Sequence, residues 1–286
     1  GGLSKRIVKL ALAVVGHVPG GLGYVAIMAA VILAAVSGSA VADAAALASL
    51  LLPMMVAAGH DRARSAGLIA SAGIIAPVIP PSIGFVIFGV AANVSISKLF
   101  LAGIVPGVLL GIALAIAWWW LVRREKVAPP ARASRAEVLK ALRESVWALG
   151  LPVIILVGLR MGVFTPTEAA VVAAAWKMSA SWRKLSSRYT TMATNRAHTA
   201  AMVSAWLITV ADLPSKIIGM LEPFMGNQTL LLVAIMLLVM IVGTAMDMTP
   251  TILILTHVLM PVVKAAGIDP VYFGVLFIIN NAIGLI

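Results

Sequence analysis

Ionisable residues are scarce in the apolar parts of this sequence, and those that occur there define the chemistry open to it. Asp43, Glu168, Asp247 and, marginally, Asp212 lie in or beside apolar segments. A charge in hydrocarbon is costly, so each is a functional hypothesis unless a local role accounts for it. Asp43 follows Ser37-Gly38-Ser39-Ala40 and precedes Ala44-Ala45-Ala46-Leu47. One reading is a first-turn carboxylate favoured by the helix dipole. The other is an anion beside a helix break, where the hydroxyls of Ser37 and Ser39 and the freed carbonyls around Gly38 supply hard oxygen ligands for Na⁺. Asp247 presents the same choice, after Gly243-Thr244 and before Met248-Thr249-Pro250-Thr251. Thr249 can cap the next half-helix with Pro250 at its first position, which frees Asp247 for a ligand or pathway role. The residues alone therefore offer Ser37, Gly38, Ser39, Asp43 and Asp247 as cation candidates. Glu168 differs, because Thr165-Pro166-Thr167-Glu168 reads as a capping box. Asn280-Asn281 either bonds helices together or coordinates a polar substrate. Pro80, Pro81 and Ser82 stand with the two asparagines as candidates for the substrate path. His17, His60, His198 and His257 show no ligand spacing, and no nucleophile triad or phosphate-binding loop appears.

The surrounding sequence must place these groups in a bilayer. Of 286 residues, 62% are hydrophobic and 11% charged, and the mean hydropathy is +1.09. That excludes a soluble enzyme and leaves an all-α polytopic membrane protein, since strand alternation is absent. The charge of +11 fits basic cytoplasmic loops facing anionic lipid rather than nucleic acid. With no cysteine, disulfides and thiolate chemistry are excluded.

The apolar stretch 99–122 is an uninterrupted span, ending in Trp118-Trp119-Trp120 and then Arg123-Arg124. This predicts an interfacial aromatic belt and a basic anchor. The segment 122–144 is basic, holds Pro129-Pro130, and is expected in the cytoplasm, with a short amphipathic surface helix over 135–145. Three other apolar stretches, 22–58, 66–92 and 229–263, break at mid-length: at Ser37–Ser39, at Pro80–Gly84 and at Gly243-Thr244. Broken spans in two halves point to a transporter's binding site. The halves correspond: Pro53-x-x-x-Ala-Ala-Gly-x-Asp61 recurs as Pro261-x-x-x-Ala-Ala-Gly-x-Asp269, offset by 208 residues. The breaks upstream of each copy suggest that Asp43 and Asp247 hold equivalent places.

Ser37–Asp43, Ile79-Pro80-Pro81-Ser82, Phe164–Ala170 and Met246–Thr251 together resemble the large membrane subunit (DctM-like) of tripartite ATP-independent periplasmic (TRAP) transporters. Gly1–Ile7 and Gly20–Tyr24 resemble the branch that handles sugar acids such as diketogulonate. The resemblance implies an elevator-type fold with inverted repeats, broken helices and re-entrant hairpins. It implies uptake of small organic carboxylates, either C4-dicarboxylates or sugar acids, with Na⁺ as coupling ion. It also implies Na⁺ binding around both hairpin tips, at Ser37, Gly38, Ser39 and Asp43 and at Gly243, Thr244, Asp247, Thr249 and Thr251. A periplasmic binding protein would deliver the substrate, a small membrane subunit would brace the permease, and the location would be the bacterial inner membrane. The resemblance further implies helices before residue 1 and a continuation past Ile286 through a second Pro-Pro break. The expected organisation is a first repeat half over 1–121, a basic connection over 122–145, scaffold helices over 146–176, an anomalous basic segment over 177–199 and a truncated second half over 200–286. The segment 177–199 does not resemble the family and reads as a frame slip or a basic loop. The alternatives are a carboxylate transporter working without a binding protein and a non-transporting remnant.

Overall fold

The computed structural model describes residues 2–123, 127, 132–161 and 219–285. The Thr165–Glu168 cap, Asp212, Pro129-Pro130 and the segment 177–199 lie outside the described residues. In chain order the helices are α1 (Gly2–Val15), α2 (Gly21–Ser37), α3 (Ala40–Ala57), α4 (Arg62–Gly73), α5 (Ile83–Ala92), α6 (Ile96–Val122), α7 (Arg135–Arg160), α8 (Gln228–Ala245), α9 (Met248–Ala265) and α10 (Pro270–Gly284). A 3₁₀ turn, Glu222–Phe224, precedes α8. Among the described residues there is no strand. The helices α3, α6, α8 and α9 are long and apolar enough to cross a membrane. The chain is an all-α polytopic membrane protein.

Buried side chains form two large cores and a small third cluster, Ala34, Ile75 and Ala76. The first joins α1, α2, α3 and α4 to the C-terminal end of α6, through Ile7, Val25, Leu51, Met55, Ile69 and Trp118. The second joins α8, α9 and α10 to α5 and the start of α6, through Phe88, Leu99, Leu231, Leu259, Phe273 and Phe277. Thus α5 belongs by sequence to the first half but packs with the second. Phe88 lies 6.2 Å from Phe273 and 5.8 Å from Phe277, in tilted ring contacts. Close approach of α6 depends on glycine: a Cβ on Gly103 would meet the Phe85 ring at 2.4 Å.

The repeated motif folds alike in its two copies. Pro53 and Pro261 lie inside α3 and α9, each 18 residues long, and the bounds of the two helices keep the same 208-residue offset. Each helix closes with matching main-chain bonds: His60 N–H donates to Met55 O and Ile268 N–H to Val263 O, both at 3.0 Å. Gly59 and Gly267 take φ of 95° and 71°, the left-handed region that glycine enters without a Cβ penalty. Asp61 and Asp269 then cap α4 and α10, each accepting the N–H three residues on at 2.8 Å.

Three expectations are corrected. The segment 135–145 is not a separate surface helix; it is the opening of the continuous 26-residue α7. Trp118 is no belt residue. It is 1% exposed, its Nε1 donates to Gly20 O at 2.9 Å, and its ring fills the space where a Cβ on Gly23 would stand. Trp119 and Trp120 do face outward, and Arg123 stacks over Trp119 at 4.3 Å. Finally, Gly243 and Thr244 do not interrupt their helix, which runs on to Ala245.

Candidate functional site at the converging helix breaks

Gly38 ends α2 with φ of 65°, and its N–H closes onto Ala34 O at 3.0 Å. The Ser39 N–H donates to Ser37 Oγ at 3.3 Å, so one of the two predicted hydroxyls is engaged locally. The chain then enters α3, with Asp43 in its first turn and only 3% exposed. This tip abuts the second break. A Cβ on Gly38 would stand 3.0 Å from Ile83 N and 3.4 Å from Pro81 O. The second break is longer than the proline pair alone: α4 stops at Gly73, turns run from Ile74, and α5 starts at Ile83. Pro80-Pro81 is a cis peptide. Ser82 is buried; its hydroxyl donates to Pro77 O and accepts the Phe85 N–H at 3.3 Å. That bonding accounts for Ser82 as the cap of α5. One residue into the helix, Gly84 faces the third break: a Cβ there would stand 3.2 Å from Met248 Sδ and from Ile278 Cδ1. The first turn of α5 therefore touches both the 37–39 tip and the start of α9.

At the third break Asp247, not Thr249, is the N-cap of α9, and Pro250 is its third residue rather than its first. Asp247 O accepts the Thr251 N–H at 3.2 Å and the Thr251 hydroxyl at 2.9 Å. Asp247 and Thr249 are less enclosed than Thr251, which is buried. The Thr244 hydroxyl donates back to Ile241 O at 2.6 Å. The expected equivalence of the two aspartates fails. The 208-residue offset that relates α3 to α9 pairs Ser39 with Asp247 and Asp43 with Thr251. Asp43 sits one turn inside a helix in a buried place; Asp247 sits at a helix mouth.

The asparagine pair divides its work. Asn280 Nδ2 donates to Met236 O and so bonds α10 to α8. Asn281 is wholly buried, and neither its Oδ1 nor its Nδ2 has a hydrogen-bond partner among the described residues. It lies against Gly243, where a Cβ would stand 2.8 Å from Oδ1. Gly243, expected to break a helix, is instead a packing glycine that admits this amide.

Capping distinguishes α3 and α9 from the other helices that open on a polar residue; α2 opens on Gly20, which has no side chain to cap with. Asp61, Ser82, Ser95, Ser134, Asn227 and Asp269 each accept a first-turn N–H of the helix that they open. Ser39 and Asp247 open α3 and α9 without a side-chain cap bond. At neither mouth does the N-cap side chain take a first-turn N–H, and backbone N–H groups with the positive end of the dipole are what anion sites use. Sequence reasoning misses this, since Ser and Asp are ordinary caps. It also misses the reciprocal cap of α7, although the Ser134-x-x-Glu137 signal is complete in the sequence. There Ser134 N–H donates to Glu137 Oε2 at 2.7 Å and Glu137 N–H to Ser134 Oγ at 3.2 Å. The two bonds from Ser134, backbone and hydroxyl, hold the Glu137 carboxyl below its usual range.

The family model for the tripartite ATP-independent periplasmic transporter, DctM component, matches residues 1–286. The 2,3-diketo-L-gulonate TRAP transporter large permease protein YiaN of Escherichia coli is 52% identical over 299 residues, covering 100% of this chain and 70% of that protein. A putative TRAP transporter large permease protein of Haemophilus influenzae is 53% identical at the same coverage. The C4-dicarboxylate TRAP transporter large permease protein DctM of Pseudomonas aeruginosa is 35% identical over 304 residues, again covering 100% and 70%. The motifs around the three helix breaks and these matches along the whole chain agree: the chain belongs to the DctM family of TRAP transporter large permeases.

Proposed function

We propose that this permease imports a small organic carboxylate, of the sugar-acid class, coupled to Na⁺ across the bacterial inner membrane. One observation carries the reading: the mouths of α3 and α9, related by the internal repeat, are helix starts whose Ser or Asp makes no side-chain cap bond, and both approach the first turn of α5. Uncapped N-termini suit the substrate's carboxylate. Na⁺, as co-transported cargo, would draw on the oxygen-rich surroundings: the Ser37–Ser39 tip with the buried carboxylate of Asp43, and the Asp247–Thr251 turn. The buried amide of Asn281 is a further polar group for the second region. The two cores support an elevator movement of one body against the other. The names of the relatives, including an isethionate TRAP transporter permease protein DctMQ of Oleidesulfovibrio alaskensis, support a small membrane subunit as partner, and the family description supports a periplasmic binding protein that hands over the substrate.

The test is uptake of radiolabelled sugar acid by proteoliposomes holding the permease and its small subunit, with the binding protein outside. Uptake is expected only with an inward Na⁺ gradient and loaded binding protein. Asp43→Asn is expected to abolish Na⁺ dependence, while Asp247→Asn, at a more open helix mouth, lowers it partially. Equal uptake in K⁺ would refute Na⁺ coupling, and uptake without the binding protein would place the chain among carriers that need none.

A further inference from the structure

A groove of about 490 Å³ lies between the C-terminal end of α1 and the N-terminal turns of α7. The two helices run antiparallel there: Ser145 Oγ donates to Arg6 O at 3.3 Å at the far end, while His17 and Arg135 line the groove together. Its character changes along its length. Arg132, Arg135 and His17 sit at one end, and Val14, Leu139 and Leu142, all exposed, form its apolar wall. His17 Nδ1 is buried without a hydrogen-bond partner among the described residues. The nearest acid in sequence, Glu137, is held by Ser134 and does not line the groove. α1 is amphipathic, with Lys5, Arg6 and Lys9 exposed and Ile7, Val8, Leu10 and Ala11 buried, the pattern of a helix lying at a membrane surface.

We infer that this groove is a binding site for one anionic phospholipid, its phosphodiester held by Arg132, Arg135 and His17 and an acyl chain laid along Val14, Leu139 and Leu142. Two guanidiniums beside an orphaned ring nitrogen match a phosphate, since guanidinium presents paired donors to its oxygens. A free phosphate or a soluble anion has no use for an apolar wall of exposed leucines, and a zwitterionic lipid gains little from two fixed positive charges. Basic pockets between helices at the cytoplasmic surface take lipid headgroups on this principle. The site sits where α1 meets α7, so its lipid would tie the first core to the segment that follows the basic connection.

The experiment is native mass spectrometry of the 286-residue chain in detergent, titrated with phosphatidylglycerol, with phosphatidylcholine of the same acyl chains, and with inorganic phosphate. One tightly retained phosphatidylglycerol is expected, with phosphatidylcholine displaced first. Arg132→Ala with Arg135→Ala is expected to weaken retention roughly 30-fold, about five-fold per charge near the surface. Leu139→Ser, at an exposed position, is expected to weaken the lipid and leave inorganic phosphate unaffected. Arg62→Ala with Arg64→Ala, equal in charge and outside the groove, is expected to change nothing. Equal retention of the two lipids, or the same loss in both arginine pairs, would overturn the site. Tight binding of inorganic phosphate that competes with the lipid and ignores Leu139→Ser would reassign it to a soluble anion.

Discussion

Gly243 and Asn281 allow a test in which one substitution should change sign. An alanine at Gly243 would place its Cβ 2.8 Å from Asn281 Oδ1, closer than side-chain carbons approach such atoms, with Asn281 O at 3.3 Å and Gly284 Cα at 3.5 Å. The amide cannot retreat freely, because Asn281 is wholly buried. Overpacking of this kind costs about 1–3 kcal/mol. Against it stands the helix preference for alanine over glycine, about 1 kcal/mol, since Gly243 has helical backbone inside α8. Gly243→Ala alone should therefore destabilise by up to about 2 kcal/mol. Asn281→Ala removes the amide that blocks the new methyl, along with a buried polar group that has no partner among the described residues. In that background Gly243→Ala should become neutral or stabilise by up to about 1 kcal/mol, because the contact under 3.0 Å is gone and only the main-chain O at 3.3 Å remains tight. The coupling energy is thus about 2 kcal/mol. The assay is reversible unfolding in mixed SDS and maltoside micelles, followed by tryptophan fluorescence. An equal cost of Gly243→Ala in both backgrounds would show that Asn281 does not occupy the space beside Gly243, and the packing role assigned to this glycine would fall.

Three further outcomes follow from the geometry. Trp118→Phe should cost about 1 kcal/mol through the lost bond to Gly20 O, and Trp119→Phe, on an outward-facing ring, should cost less in the same unfolding assay. Asp61→Ala and Asp269→Ala should each cost about 1 kcal/mol, and by equal amounts, because both caps accept at 2.8 Å at repeat-related positions; a difference above about 1 kcal/mol would argue against equivalent roles. Glu137 has a lowered folded pKa, so its contribution is present above the unfolded value and is lost as pH falls through the folded one. Amide protection in the first turn of α7 should drop on acidification through and below the ordinary glutamate range, and Glu137→Gln should abolish that step.

The sequence is informative where a single residue type forces a local shape. Gly38 and Gly59 take positive φ, and both are readable as turns from neighbours alone. The Pro-x-x-x-Ala-Ala-Gly-x-Asp motif announces its own fold because each part acts locally, as a helix end, a left-handed residue or a cap. Gly243 looks the same on paper as Gly38. What distinguishes them is Asn281, which is 38 residues away in the chain, and no local pattern reports a distant partner. Trp118 escapes a sequence reading for the same reason, since the slot it fills is made by the absent side chain of Gly23. The pairing of Asp43 with Asp247 fails differently. Two acids near two breaks invite a match by charge, whereas the constant offset of the downstream motif, carried upstream, sets Asp43 against Thr251. Register is the better guide. Which caps stay unbonded is not legible at all, because Ser39 and Ser82 are the same residue type in similar contexts.

The placement of α5 has a consequence for how the protein is made. Its 10 residues reach about 15 Å, half the thickness of the hydrocarbon core, so it cannot hold a position in the bilayer alone. Phe88 finds its ring partners Phe273 and Phe277 only after the much later α10 has left the ribosome. During synthesis the early segment must therefore wait, inserted but unpartnered, until α10 has been made. The early part of the permease is completed by a late one, and a chain released before Pro270 should leave α5 open to proteases that the finished protein resists.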